Sequence, residues 1–305
     1  MIVKDQDLLE RYITFLIMYQ GIRVRELRGE LVKDDPVIFA DRISGLNRLE
    51  DIFRKQNHLT RYELQQITGV EFPEQVRRIL IFRHSWSPLM FQYLLSTSNP
   101  TKEQLCGLRS LAQTPCDYIY TGIMWPFIHT RDGKTREDNI IDHFWTVQEN
   151  YLETAELIRN LSQVKSVLLH IQDRYPLLGP FRTYEVVTSF CYLPEFPFTS
   201  DDFFVIGPGS KAIAEGLFGH APSHKEMLDL RDVVLGRLMD AEQLGAFDFN
   251  GNSFDLKALE DGFCEFRKYE TMKQLFEKPL KEPDTRGKVT HKPIQINPWS
   301  LTWPL

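Results

Sequence analysis

The chain has 305 residues, of which 42% are hydrophobic and 26% charged, a composition typical of a soluble globular protein. Its net charge of −6 argues against a protein that coats nucleic acid without selection, because such binding depends on Lys and Arg neutralising phosphates. No segment approaches the roughly 20 apolar residues of a membrane span, and the charged N-terminal segment is not typical of a signal peptide, so we expect a cytoplasmic protein.

Helical periodicity predicts most of the secondary structure. Apolar residues at helical spacing from Leu8 to Tyr19 predict a first helix. Asp35 suits an N-cap and Pro36 a first helical position, so a second helix should begin there. Later helices are predicted over residues 73–95, 101–112, 137–172, 184–193, 210–218, 223–244 and 256–276. The longest of these should break into two near Asn150.

Strand signals are few. Phe247 and Phe249 alternate with polar residues ahead of an Asn-Gly turn, which predicts a small β-hairpin. Residues 278–305 are rich in Pro and polar residues and should form an extended tail. The sequence therefore predicts a mainly α fold in one domain, residues 1–277, built as one body or as two lobes with a cleft between them.

The segment YPLLGPFRTYEVVTSFCYLP, residues 175–194, joins two apolar helical stretches through Gly179 and Pro180. This order resembles a helix-hairpin-helix, whose turn directs backbone N–H groups at a DNA phosphate. Leu177 replaces the first glycine usual in that hairpin. An ordinary pair of core helices therefore stays open as the alternative.

Further short motifs follow one another along the chain. They are RELRG (25–29), RISGLNRLED (42–51), ILIFRH (79–84), LLGPFRTYE (177–185), GPGSKAIAEG (207–216) and FCEFRKYE (263–270). In this order they resemble the α-glutamyl/putrescinyl thymine pyrophosphorylase family of phage DNA hypermodification, also called amino acid:DNA transferases, which has a DNA-glycosylase-like helical fold. The resemblance covers residues 10–275, and Gly45 and Leu177 depart from the pattern.

The resemblance implies an amine substitution on DNA. The amine of an amino acid or polyamine displaces pyrophosphate from the 5-methylene carbon of a pyrophosphorylated 5-hydroxymethyluracil in duplex DNA, and the base is flipped out of the helix. A 5-hydroxymethyluracil DNA kinase is the implied working partner, and a viral protein would act in the host cytoplasm. No membrane partner or cofactor is implied, although Asp201 or Asp202 could hold a divalent cation.

The turn at 207–210 is the predicted seat of a phosphate. Gly207 and Gly209 let backbone approach an anion closely, while Ser210 offers a hydroxyl and caps the following helix, whose N-terminus presents free N–H groups. A tight turn with a capping serine is the alternative.

Charged residues of the motifs supply the candidate chemistry. Asp202, Glu185 and Glu265 are the candidate proton acceptors for the incoming amine. The candidate pyrophosphate-binding cations are Arg48, Arg83 and Lys268. For each cation, an ion pair that ties helices together is the alternative.

Two tyrosines and the hairpin turn are the candidate DNA and base contacts. Tyr184 could stack on the flipped base, Tyr269 shares a helix face with Glu265, and Gly179 belongs to the hairpin. A tyrosine packed in the core is the competing interpretation of Tyr184.

No metal site is predicted. His220 and His224 are separated by Pro222, which prevents the regular helix that a zinc pair needs, and the four cysteines include no C-x-x-C pair. The chain also contains no P-loop motif.

Two other functions remain open at this point. A DNA glycosylase would use an aspartate to activate water or a lysine as Schiff base, for which Lys211 is the candidate. A non-catalytic DNA-binding protein is the second, although the acidic net charge disfavours it.

Overall fold

The computed structural model describes residues 3–30, 32–43, 49, 51–53, 55, 57–85, 87–111, 134–175 and 177–277. The predicted tail and the candidate cation Arg48 lie outside these residues. The described residues form twelve helices and no β-strand, which confirms the predicted mainly α fold.

The helices are α1 Gln6–Leu27, α2 Pro36–Ile43, α3 His58–Ile67, α4 Phe72–Ser85, α5 Pro88–Ser96, α6 Lys102–Leu111, α7 Arg136–Arg159, α8 Val164–Arg174, α9 Pro180–Phe190, α10 Lys211–Phe218, α11 His224–Gln243 and α12 Leu256–Glu277. The predicted N-cap of α2 is confirmed, because the Asp35 carboxylate accepts hydrogen bonds from the N–H groups of Val37 and Ile38. Helix α3 was not predicted.

Two predicted helix boundaries are wrong. The segment 73–95 is two helices, because Pro88 begins α5 and Ser87 caps it by accepting a hydrogen bond from the Met90 N–H at 3.3 Å. Helix α7 continues through Asn150, whose side chain donates to the Thr146 carbonyl at 2.7 Å. The break falls instead between α7 and α8.

The predicted β-hairpin forms its turn but not its strands. Asn250 and Gly251 both have positive φ, 49° and 74°, as such a turn requires. The flanking rings pack on Phe53 instead: the Phe247 and Phe254 ring centroids lie 6.3 and 6.5 Å from that of Phe53. Burial of these rings takes the place of cross-strand pairing.

The apolar side chains form two separate cores. The first is built by α3 to α9 and the loop that follows α9. The second is built by α1, α2, α10, α11 and α12, so the two ends of the described chain meet in it. Helix α9 belongs to the first core and α12 to the second, and their charged side chains meet at the boundary. Within the described residues, no helix combines the length and apolarity needed to cross a bilayer.

Candidate active site

Lys257 of α12 contacts a buried glutamate of α9 and two acidic residues of its own helix. Lys257, Glu260 and Asp261 share a helix face because they are spaced i, i+3 and i+4. The Lys257 Nζ lies 2.8 Å from Glu185 Oε1, 2.6 Å from Glu260 Oε2 and 2.8 Å from Asp261 Oδ1. We call Glu185, Lys257, Glu260 and Asp261 the Lys257 cluster.

The Lys257 cluster is largely buried. The side chains of Lys257, Glu185 and Glu260 are 2–3% exposed, whereas that of Asp261 is 24% exposed. One ammonium contacts three carboxyl groups. Buried groups of charged side chains are costly to desolvate, and such arrangements concentrate at functional sites.

The hydroxyl of Tyr184 adds an unsatisfied polar group beside the cluster. Tyr184 is fully buried, and within the described residues its hydroxyl has no hydrogen-bond partner. Its ring lies 5.2 Å from Lys257 Nζ. Burial raises the pKa of Tyr184 well above its usual value; Lys257 lowers that pKa, and Glu260, Asp261 and Glu185 raise it further. The hydroxyl therefore stays protonated and lies in the field of all four charged groups.

The turn at 207–210 packs against the cluster, and the anion it contacts is a carboxylate of the same chain. The Ser210 hydroxyl lies 2.7 Å from Glu260 Oε1 and 3.1 Å from the Gly207 carbonyl oxygen, and it can donate to either. Ser210 is the N-cap residue of α10, as predicted, but its hydroxyl makes no capping hydrogen bond to that helix. The position expected for a phosphate thus lies beside the Glu260 carboxylate.

Both glycines of this turn are needed for close packing. A Cβ at position 207 would lie 2.5 Å from the Phe181 ring and 2.6 Å from Glu260 Oε1. A Cβ at position 209 would lie 2.5 Å from Cys264 Sγ. Only glycine lets the turn approach α12 and the start of α9 this closely.

Further along α12, basic residues flank a buried thiol. The Arg267 guanidinium donates to the carbonyl oxygens of Pro208 at 2.9 Å and Gly209 at 3.3 Å. Burial raises the pKa of Cys264 to about 12, so the thiol is protonated at neutral pH. Lys268 and Glu265 form an ion pair of 2.7 Å within the helix, which is the alternative role left open for Lys268.

Tyr269, in the C-terminal half of α12, packs against α1. It is 8% exposed, packs on Phe15 at 5.1 Å between ring centroids, and donates its hydroxyl proton to Asp35 Oδ2 at 2.8 Å. Its described contacts join α12 to α1 and to the N-cap of α2.

Arg83 lies in the first core and not at the Lys257 cluster. It is fully buried and forms an ion pair with Glu63 of α3, in which its Nε donates to Glu63 Oε1 at 2.9 Å. Ser189 of α9 donates to the same carboxylate at 3.2 Å. Arg83 therefore forms an ion pair between two helices, the alternative role given for it in the sequence analysis, and its partner is Glu63.

The two adjacent aspartates hold chain turns. Asp202 is exposed and accepts hydrogen bonds from the Thr199 N–H at 2.7 Å and hydroxyl at 2.9 Å. Asp201 pairs with Arg231 at 2.6 Å and accepts from the Leu256 N–H at 2.9 Å, at the start of α12. Asp201, rather than Asp202, is the residue that orients the helix carrying the cluster.

Gly179 is the N-cap residue of α9, two positions before Phe181. Phe181 lies against Gly207 and 5.7 Å from Lys257 Nζ, so the start of α9 borders the cluster. Of the predicted site residues, Gly207, Ser210, Tyr184 and Glu185 are therefore brought together, with Gly179 and Gly209 at the edge.

The basic sequence motifs of the described part are largely paired with acids. Arg23 pairs with Asp51 at 2.7 Å, and Arg25 binds both Glu30 and Asp34. Arg77 and Arg78 share Glu74. Neighbouring acidic residues therefore offset the positive charge of these motifs locally.

Sequence reasoning missed Lys257, Glu260, Asp261 and Arg267. A Lys-x-x-Glu-Asp pattern at the start of α12 places all three charges on one face, and this spacing was the available signal. It does not reveal that Glu185, 72 positions earlier, completes the set. Across the described residues, no three His, Cys, Asp or Glu side chains are arranged to hold a metal ion.

The sequence profile of the family described as "5-hmdU DNA kinase, helical domain" matches residues 8–275. The chain belongs to this family. No curated protein and no solved structure gives a match. Membership of the 5-hmdU DNA kinase helical-domain family links the chain to thymine hypermodification in DNA, and the matched range includes the first core, all of the second core except Val3, and the Lys257 cluster.

Proposed function

We propose that this chain transfers an amine onto the 5-methylene carbon of a pyrophosphorylated 5-hydroxymethyluracil in DNA and releases pyrophosphate. The observation that carries the proposal is the Lys257 cluster, in which buried carboxylates lie beside a Tyr184 hydroxyl that has no hydrogen-bond partner among the described residues. These carboxylates could accept a proton from an incoming amine. The family membership supports modified DNA as one of the two substrates.

The reaction needs a base near the amine. The nitrogen lone pair forms a bond to the methylene carbon, the carbon–oxygen bond to pyrophosphate breaks, and pyrophosphate leaves with that electron pair. A proton from the nitrogen passes to a carboxylate, for which we propose Glu185. Lys257 keeps Glu185 oriented, and Ser210 orients Glu260, so both carboxylates are held before the amine arrives.

Pyrophosphate requires cations outside the cluster. We propose that Arg267 and Lys268 bind it, because Arg267 is exposed and the Lys268 side chain is 22% exposed. Arg48 remains a predicted contributor, and a divalent cation could arrive with the pyrophosphate. Glu265 would then orient Lys268 through their ion pair. We propose no step for the exposed Asp202.

The DNA would approach from the start of α9. We propose that a backbone phosphate binds Gly179 and the N–H groups of the first turn of α9 while the flipped base enters, because Phe181 of this turn borders the cluster. Tyr184 would then contact the reaction site through its hydroxyl rather than by stacking, because its ring is fully buried.

A second candidate follows from the family description. A chain of the 5-hmdU DNA kinase helical-domain family without a P-loop motif could present modified DNA to a kinase instead of acting on it. The kinase would then be the partner, and no amine would be consumed.

One assay separates the two candidates. Duplex DNA bearing 5-(pyrophosphooxymethyl)uracil is incubated with the protein, several divalent cations and a panel of amino acids and polyamines. The DNA is then digested to nucleosides, and their masses are measured by mass spectrometry. The proposal predicts one nucleoside with the mass of an amine adduct, and equimolar pyrophosphate. Unchanged nucleosides with every amine would overturn it. Faster phosphorylation of 5-hydroxymethyluracil DNA by a kinase would then favour the second candidate.

A further inference from the structure

We infer that the backbone of residues 203–206 binds the Watson–Crick edge of the flipped uracil base. This inference rests on the proposed function, in which a 5-substituted uracil leaves the DNA helix and enters the site. It follows from the unpaired peptide groups of this segment, from its path between the two cores and from its place beside the Lys257 cluster.

The segment 203–206 runs between the two cores with its side chains on alternate sides. Phe203 and Val205 pack on the first core, whereas Phe204 and Ile206 pack on the second. Such alternation is the pattern of an extended chain, because successive side chains point in opposite directions. The peptide groups therefore lie along the boundary between the cores.

The peptide groups of this segment have no hydrogen-bond partners among the described residues. Residues 203–206 belong to no helix, strand or turn, and within the described chain their N–H and C=O groups form no hydrogen bonds. Phe203 is only 4% exposed, and the other three residues are half-buried. Unpaired peptide groups are unusual so close to a core, because burying them without a partner is costly. The segment thus holds a row of donors and acceptors available to a ligand.

Both ends of the segment lie beside the Lys257 cluster. Gly207, the next residue, is so close to Glu260 that an added Cβ would lie 2.6 Å from Glu260 Oε1. At the other end, the Phe203 and Tyr184 rings meet with their centroids 5.5 Å apart. The Tyr184 hydroxyl is an independent sign of a ligand here, since Tyr184 is fully buried and its hydroxyl has no partner among the described residues.

The hydrogen-bonding pattern of an extended chain fits uracil. Each residue of such a chain presents its N–H and its C=O on the same side. Uracil carries the donor N3–H between the acceptors O2 and O4, so a backbone C=O can accept from N3–H while the N–H of the same residue donates to a neighbouring oxygen. Enzymes that flip a base out of the helix commonly recognise this edge. The 5-methylene carbon lies on the far side of the ring, so this contact leaves it free to react.

Cytosine does not fit the same groups in the same orientation. Its N3 is an acceptor and its position 4 carries an amino donor, so acceptor would face acceptor and donor would face donor. Hydrogen bonding of this kind discriminates between bases because the wrong base leaves polar groups unpaired.

The test compares two single-stranded oligonucleotides that differ at this edge alone. One carries 5-hydroxymethyluracil and the other 5-hydroxymethylcytosine at the same position, and their affinities for the full-length protein are measured by fluorescence anisotropy. We expect the cytosine strand to bind more weakly by about tenfold or more. Equal affinities, tighter binding of the cytosine strand, or no binding of either strand would overturn the inference.

Ester substitutions locate the contact on the backbone. Replacing Phe204, Val205 or Ile206 by the corresponding α-hydroxy acid removes one N–H and keeps the side chain. Successive N–H groups of an extended chain point in opposite directions, so only one edge can face the base. We expect either the Val205 ester alone, or one or both of the Phe204 and Ile206 esters, to weaken the uracil strand by about tenfold. No effect at any of the three, or effects on both edges, would overturn the inference.

The matched control is the same ester at Ala221, an exposed loop residue whose N–H forms no hydrogen bond within the described chain. This ester should leave the affinity for the uracil strand unchanged. The three esters of the segment should not lower the melting temperature, because each removes an N–H that has no partner among the described residues. A lower melting temperature with unchanged affinity would assign the segment a purely structural role and overturn the inference.

The adduct assay keeps the two proposals distinguishable. An amine adduct together with equal affinities for the two strands would overturn the recognition of the base by residues 203–206 but retain the transfer reaction. Preference for the uracil strand without any adduct would overturn the transfer reaction and retain the recognition of uracil.

Discussion

At the scale of single residues, the turn at 207–210 shows how a phosphate-binding pattern can serve packing. Gly207 is in contact with Phe181 and Glu260, and Ser210 with Glu260. The turn thereby presses α12 against the start of α9. Its glycines are constrained by side chains of the same protein.

Gly207→Ala should therefore destabilise the protein. The added methyl group would meet the Phe181 ring at 2.5 Å and Glu260 Oε1 at 2.6 Å, so neighbouring groups must move. We expect the free energy of unfolding in urea to fall by about 1–3 kcal/mol.

Gly236→Ala in α11 is the matched control. That glycine lies on an exposed helix face with no atom within 4 Å of the added Cβ. It should stabilise by about 0.5–1 kcal/mol. Equal effects of the two substitutions would contradict the packing role assigned to Gly207.

Cys264 should resist alkylation at neutral pH. Burial raises its pKa to about 12, so the reactive thiolate forms only as the pH approaches that value. Peptide mapping after iodoacetamide treatment at pH 8 should find the exposed Cys106 modified and Cys264 unmodified. Rapid labelling of Cys264 in the folded protein would show that the thiol is more accessible than described.

At the scale of elements, the buried pair of Arg83 and Glu63 fastens α4 to α3. Removing one member of a buried pair leaves the other charge uncompensated, so Arg83→Met should lower the free energy of unfolding by about 3–5 kcal/mol. The double variant Arg83→Met/Glu63→Leu should recover most of that loss in the same urea titration.

This pair of variants separates the two roles considered for Arg83. If Arg83 bound pyrophosphate, the Arg83→Met variant would lose transfer activity while its stability stayed unchanged. Activity that stays absent in the stable double variant would restore the role predicted from the sequence.

At the scale of the whole molecule, Lys257 joins the two cores. It contacts Glu185 of the first core's α9 from α12 of the second. Lys257→Met would remove the cation that contacts three carboxyl groups, and we expect a loss of about 3–5 kcal/mol in the free energy of unfolding. Lys211→Met, at a side chain that is 64% exposed, should change it by no more than about 0.5 kcal/mol. A small effect of Lys257→Met would show that the cluster does not couple the cores.

The sequence predicted the helices better than it predicted the contacts between them. Helix periodicity and caps predict most of the helices, because both are encoded within a few residues. Asp35 before Pro36 is an example. The breaks were harder: Pro88 was the stop signal within 73–95, and Asn150 is compatible with a continuing helix.

The candidate site was predictable only in part. Tyr184, Glu185, Gly207 and Ser210 were named from local motifs and do lie together. Lys257 was missed because its role depends on a contact across 72 residues. Arg83 looks like a phosphate ligand in sequence, since nothing local shows that Glu63 meets it in the core.

The transfer of an amine through Glu185 is the central claim, and a single rate tests it most directly. Adduct formation on 5-(pyrophosphooxymethyl)uracil DNA with 1,4-diaminobutane is timed for the wild type, Glu185→Gln and the exposed α7 control Glu149→Gln, each verified as folded by its melting temperature. The account predicts that Glu185→Gln slows the step by about 100-fold or more while the control retains the wild-type rate. A Glu185→Gln rate equal to that of the wild type would contradict it.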